Sequence, residues 1–131
     1  MKEDRDYNSD IYDLNNPIIK KLIKNSYLTH TQLEILLDYI ARKQRGVQIK
    51  NIDNTITIGK KKIKRGSYYR ILKAARNKIA KVILTMILIT SLDIISHHDI
   101  INILEKTSSL DITIENIEIY DHLINMIRDS V

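Results

Sequence analysis

Apolar residues recur along this chain at helical spacing in most places and at every second position in two short ones. Asn16-Pro17 reads as an N-cap followed by a first-turn proline. Ile18, Ile19, Leu22 and Ile23 then fall on one side of a short helix reaching about Asn25. Thr29-His30-Thr31-Gln32 has the capping-box pattern, and Leu33, Leu36, Leu37 and Ile40 follow at i, i+3, i+4 and i+7. Arg42, Lys43 and Arg45 suit the negative end of that helix, and Gly46 supplies a left-handed stop. From Val47 to Ile58 the period changes to two. Val47, Ile49, Ile56 and Ile58 alternate with polar residues about Asp53-Asn54, which predicts a hairpin turning there with Ile49 opposite Ile58.

The longest periodic segment runs from Gly66-Ser67 to about Thr90. At ~100° per residue, Tyr68, Ile71, Leu72, Ala75, Ile79, Val82, Ile83 and Met86 share a face, and Arg70, Lys73, Asn77 and Lys81 the opposite one. Beyond Lys81, Leu84 and Leu88 continue the line begun by Arg70, so the helix becomes apolar all round and should be packed in protein. Ser96-His97-His98-Asp99 opens a further helix with Ile100, Ile101 and Leu104 inward. Leu110 to Ile114 alternates as a short strand or a connector. A last amphipathic helix carries Ile117, Tyr120, Leu123, Ile124, Ile127 and Val131 on one stripe. The fold class is therefore mainly α with a small β-hairpin and C-terminal helices. Residues 1–15 read as a flexible N-terminal segment and residues 16–131 as a single domain, with a basic part at about 28–92 and an acidic helical part at 93–131.

Charge sharpens this division. Residues 54–92 contain no Asp or Glu yet hold ten of the 21 Lys and Arg residues, whereas residues 93–131 carry two basic and eight acidic side chains. Confining ten positive charges raises self-repulsion that an anionic partner relieves, and nucleic acid is the partner favoured. Phe, Trp and Cys are absent, and Ile dominates the apolar positions, a bias that looks like codon pressure from an AT-rich genome. No disulfide or thiolate metal site can form, which fits a reducing, cytoplasmic setting. The acidic, polar N-terminus has no apolar run to serve as a secretory signal, and Val82 to Ile89 is far shorter than the ~20 residues of a membrane span.

The stretch Ile63-Lys64-Arg65-Gly66-Ser67-Tyr68-Tyr69-Arg70-Ile71-Leu72-Lys73-Ala74-Ala75-Arg76 resembles the recognition helix of helix-turn-helix DNA-binding proteins. Leu28-Thr29-His30-Thr31-Gln32-Leu33-Glu34-Ile35-Leu36 is similar to the first helix of the same fold, so the resemblance covers about residues 28–82. The slot in which that family places its second helix reads here as alternating strand. The resemblance thus implies a winged or otherwise modified helix-turn-helix core, a transcriptional regulator acting on double-stranded DNA, and a homodimer to reach paired half-sites. Val82–Ile89 or the last helix would supply the dimer contact.

The residues support this independently. Arg70 and Asn77 are types that read guanine and adenine edges in the major groove, while Lys73 and Lys81 suit phosphates. Ser67 and the helix amides offer a further phosphate site. Lys60, Lys61, Lys62, Lys64 and Arg65 would track the backbone, and Tyr69 flanks the basic face. Two other readings stay open: an assembly module working through its acidic C-terminal helices, and an RNA binder, which the divergence of Tyr68 and Tyr69 around their helix disfavours. His97-His98-Asp99 is a capping signal rather than a metal site, since adjacent helical residues diverge. No Gly-rich phosphate loop, catalytic constellation or cofactor motif appears, so a non-enzymatic protein without cofactor or metal is expected.

Overall fold

A computed structural model of the protein describes residues 14–49, 54–108 and 114–129. Residues 1–13 of the expected flexible segment 1–15, Asp53 of the expected turn, and residues 110–113 of the alternating stretch Leu110 to Ile114 lie outside them. The described chain is mainly helical with one two-stranded antiparallel hairpin. Helices α1 (Pro17–Lys24) and α2 (His30–Gln44) precede strands β1 (Thr55–Ile58) and β2 (Lys61–Lys64). Helix α3 (Arg65–Ser91) follows β2 directly, then α4 (His97–Ser108), a 3-10 turn at Ile114–Asn116, and α5 (Ile117–Asp129). Contacts group the chain into two compact units, one of residues 1–14 and 26–78 and one of residues 15–25 and 79–131.

In the first unit, α2 starts as its sequence predicts. The Thr29 hydroxyl accepts from the Gln32 amide (3.2 Å), and the Gln32 side chain accepts from the Thr29 amide (3.1 Å). The helix ends at Gly46, which takes φ +70° while the Val47 amide donates back to the Arg42 carbonyl at 2.9 Å. The buried face differs from the expected one, however. Ile35, Asp38, Ala41 and Arg42 are buried, whereas Leu33, Leu36 and Leu37 are half-buried and Ile40 is exposed.

The hairpin also departs from expectation. It turns at Gly59-Lys60, with Thr55 opposite Lys64, Ile56 opposite Ile63, and Ile58 opposite Lys61. Gly59 has φ +61° and no atom near where a Cβ would stand, so glycine serves the backbone conformation rather than the space. A two-residue loop opening on such a glycine matches strand twist, which neither Asp53 nor Asn54 can do as readily. Asn54 instead sits at the base of the hairpin, where its carbonyl accepts from the Arg65 amide at 2.8 Å. The lysines of β2 conceal its period, because Ile63 alone marks the inward side. Ile35, Ile49, Ile56, Ile58, Tyr68 and Leu72 form the core, with Leu36, Tyr39, Val47, Ile63 and Ile71 packed against it.

A polar network runs through this core. Arg42 Nε donates to Asp38 Oδ2 at 2.7 Å, Arg42 Nη2 to the Thr57 carbonyl at 3.1 Å, and the Tyr68 hydroxyl to Asp38 Oδ2 at 2.8 Å. Asp38, Arg42 and Tyr68 are all 0% exposed. Arg42 therefore does not serve the helix terminus as its position implied. Asp38 and Arg42 lie one turn apart on α2, so one carboxylate joins α2 to α3 and one guanidinium joins α2 to β1. Burial first, and then the adjacent Asp38 carboxylate, hold the Tyr68 phenol well above its ordinary range.

In the second unit, Asn16 caps α1 by accepting from the Ile18 amide at 2.9 Å, and Ile18 and Ile19 are buried. α1 and α5 are tied by a Lys21–Asp121 ion pair and an Arg128–Asn25 hydrogen bond. Tyr120 and Leu123 bury the α5 stripe, whereas Ile127 is exposed. Ser96 caps α4 through the Asp99 amide at 3.1 Å, but Ile101 and Leu104 point outward, with Ile100 and Ile103 the half-buried pair. The largest correction is in α3, whose second half is not enclosed all round by this chain: Met86 and Ile89 are half-buried and Thr90 is buried, but Ile83, Leu84, Ile87 and Leu88 are each more than half exposed.

Removing one member of the buried network leaves a desolvated partner behind. Asp38→Ala should cost about 3–5 kcal/mol in urea denaturation, and Tyr68→Phe about 1.5–3 kcal/mol. Tyr68 also carries a pH signature. Its folded-state pKa lies above the unfolded value of 10.0, so its contribution is intact below that pH and declines as pH rises past it. The loss is about 1.4 kcal/mol per pH unit, and the gap between wild type and Tyr68→Phe should narrow accordingly.

Candidate nucleic-acid interface

The core fixes how α3 is rotated. Tyr68, Leu72 and Ala75 are buried and Ile71 is half-buried, which leaves Tyr69, Arg70, Lys73 and Asn77 exposed. The outward residues are those whose helical phase opposes the core, so this part of the expected site is brought together on one face. No acidic residue lies in the first turn of α3.

The hairpin contributes a second basic surface. With Ile56 and Ile63 facing inward, the pleat directs Lys62 and Lys64 to the other side, beside Thr57 and Thr55. Both lysines are exposed, as is Lys60 in the turn. Lys61 falls on the inward parity at the rim. It lies 3.9 Å from Glu34, whose carboxylate also contacts His30 at 3.0 Å. Lys61 therefore shares its charge with α2, unlike Lys62 and Lys64.

The start of α3 is one residue pair earlier than expected, at Arg65, and its first amide is already engaged by Asn54. Arg65 and Ser67 are half-buried there. Lys81 is exposed and belongs to the second unit. Tyr69 is 43% exposed and stands edge-on to Tyr68, with ring centroids 6.1 Å apart.

Two basic residues of the acid-free segment serve the fold. The Arg76 guanidinium lies 4.5 Å from the centroid of the Tyr39 ring, a cation–π contact between α3 and α2. Lys78 donates to the Tyr27 carbonyl at 2.9 Å and to the Gln32 side chain at 3.0 Å, tying α3 to the capping box of α2. Charge counting could not separate these from Arg70 and Lys73. Helical phase could in part, since Lys78 lies about 80° from Arg70 and toward the buried side.

No family model matches the chain, and no curated protein or solved structure matches it either. Among the described residues no group of three acidic or histidine side chains is poised to hold a metal ion, and no helix is long and apolar enough to cross a membrane.

The two classes of cation separate in a stability measurement. Arg76→Ala should lower the unfolding free energy by about 0.5–2 kcal/mol through loss of the Tyr39 contact. Arg70→Ala, on the exposed face, should leave it within about 0.5 kcal/mol.

Proposed function

We propose that the first unit binds double-stranded DNA and that the protein is a non-enzymatic transcriptional regulator working inside the cell, in the cytoplasm. The observation that carries this reading is the exposed face of α3. In a segment without a single acidic residue, the core turns Arg70, Lys73 and Asn77 to solvent together. Arg70 and Asn77 lie seven residues apart, two turns on one side of a helix, and both are suited to bidentate base contacts in the major groove. Lys73 between them, and Lys60, Lys62 and Lys64 from the hairpin, suit phosphates.

A solvated surface needs no such bias, because mixed charge keeps a helix in water equally well. The burial of Tyr68 also favours duplex DNA over single-stranded RNA. With Tyr68 inside, Tyr69 is the one tyrosine of this face left for stacking, short of the platform that unpaired bases use. In helix-turn-helix terms, α3 takes the part of the recognition helix. The hairpin between α2 and α3 fits a winged or otherwise modified variant better than a tri-helical core.

Fluorescence anisotropy with duplex DNA, single-stranded DNA and duplex RNA at one salt concentration tests the reading, and duplex DNA should bind tightest. About five phosphate contacts give a slope of log K against log salt near −4 to −5. A flat salt response, or preference for either other ligand, overturns the proposal.

Variants separate reading from holding. Arg70→Ala should cost about 1–3 kcal/mol on the preferred sequence and relax selectivity at one base pair. Lys62→Ala should weaken all duplexes alike and reduce the salt slope by about one. Lys61→Ala should do less than Lys62→Ala, since Glu34 already shares its charge.

A further inference from the structure

Helix α4 belongs to the second unit without being enclosed by it. None of its 12 residues is buried, although Ile100 and Ile103 face inward. A lone helix of that length is marginal in water, so its stability depends on what meets the inward face. That face borders a cavity of about 630 Å³, bounded also by the end of α3, the connector between α3 and α4, and Met126 and Ile127 of α5. The volume falls within the ~300–1,000 Å³ of small-molecule sites.

The lining is apolar and adaptable. Met86 and Ile89 of α3, Ile95 of the connector, Ile103 of α4 and Met126 of α5 are each half-buried around it. Met86 and Met126 are the two methionines of the chain after Met1. Unbranched thioether side chains re-pack about guests of different shape, and both of them stand here.

Charge selects the guest. Asp93, just after α3, and Asp99, in the first turn of α4, line the connector end of the cavity. Both are exposed, and neither carboxylate forms an ion pair among the described residues. Ser96 accepts from the Asp99 amide at 3.1 Å, which fixes the backbone from which that carboxylate extends. Lys106 is the one cation of the lining, and it lies seven residues along α4 from Asp99. That separation is about 10 Å of helix. The connector end is therefore negative and the middle of the cavity uncharged.

The end of α3 bears on the same point. The Asp93 amide donates to the Thr90 carbonyl at 3.2 Å and the Ile94 amide to the Ile89 carbonyl at 2.9 Å. This pair of bonds closes a helix through a left-handed residue, normally glycine. α2 ends the same way on Gly46, whereas α3 uses Asp93 at φ +57°. Asp93 thus keeps a carboxylate at the cavity in a backbone conformation that glycine adopts with less strain.

We propose that this cavity binds a small organic cation, with its ammonium group between Asp93 and Asp99 and its apolar body against Met86, Ile89 and Met126. The guest supplies packing that α4 lacks, so occupancy stabilises the second unit. The site lies wholly in that unit and does not rest on the DNA-binding reading.

Hexylammonium, hexanol and hexanoate carry one apolar body with a positive, a neutral and a negative head, and titrating each into the full chain tests the proposal. The methyl NMR signals of Met86 and Met126 report occupancy. Hexylammonium should shift both signals, raise Tm and bind about tenfold tighter than hexanol, the effect of one charge-assisted contact. Hexanoate should bind most weakly. Asp99→Asn should bring hexylammonium down to the affinity of hexanol and leave hexanol itself unchanged. Asp93→Gly should do the same without lowering the Tm of the empty chain, since glycine suits the left-handed position. Circular dichroism checks that each variant is folded. Methyl signals that respond alike to all three guests overturn the proposal, because the cavity would then be an apolar gap without charge preference. So do signals unmoved by hexylammonium, or a preference for it that survives both substitutions.

Discussion

One carboxylate organises the first unit. Asp38 accepts from Arg42 on its own helix and from Tyr68 on α3, while Arg42 reaches the Thr57 carbonyl of β1. Desolvating opposite charges offsets much of their mutual attraction, so such a network adds little net stability. Its effect lies in what it forbids. An apolar core dominated by isoleucine would accept several rotations and slides of α3 at similar free energy. Hydrogen bonds within a buried charge network accept very few, because a displaced donor leaves a desolvated acceptor behind. The outward set of Arg70, Lys73 and Asn77 follows from Tyr68 being held inward, so the proposed DNA-binding face is set by residues that never touch solvent.

Much of this was readable from the chain, for identifiable reasons. The caps of α1, α2 and α4 rest on local bonds, and Asn16, Thr29 with Gln32, and Ser96 make the contacts their positions imply. The phase of α3 over Tyr68, Leu72 and Ala75 followed from its apolar period. Arg70, Lys73 and Asn77 are exposed for the same reason. The hairpin was recognised as a type but not located, because three of the four residues in β2 are lysine and their polarity hides the strand's two-residue period. Gly59 was the better signal.

What the sequence concealed was tertiary. Asp38 and Arg42 are residues that position and type assign to solvent, and only their joint fit with Tyr68 and Thr57 makes burial tolerable. The amphipathic template for α2 consequently chose Leu36 and Ile40 over Ile35 and Ala41. The second half of α3 is a different case, where uniform apolarity implied packing in protein and the chain itself covers only one side of the helix. Periodicity reports that a surface avoids water, and says nothing about which molecule covers it. Arg76 and Lys78 show the matching limit for charge, since a cation satisfied by a ring or a carbonyl counts the same as one facing solvent.

The junction between β2 and α3 has a mechanical meaning. Lys64 ends the strand and Arg65 begins the helix with no residue between them, and the Arg65 amide still completes the pairing with Asn54. Strand and helix are therefore geared together. Adding a single residue at that junction would turn everything beyond it by ~100°, carrying Arg70 toward the interior and a core residue into water. Lengthening the Gly59-Lys60 turn would leave that gearing untouched. Natural length variation in proteins of this architecture should accumulate at the tip of the hairpin and be purged from its base.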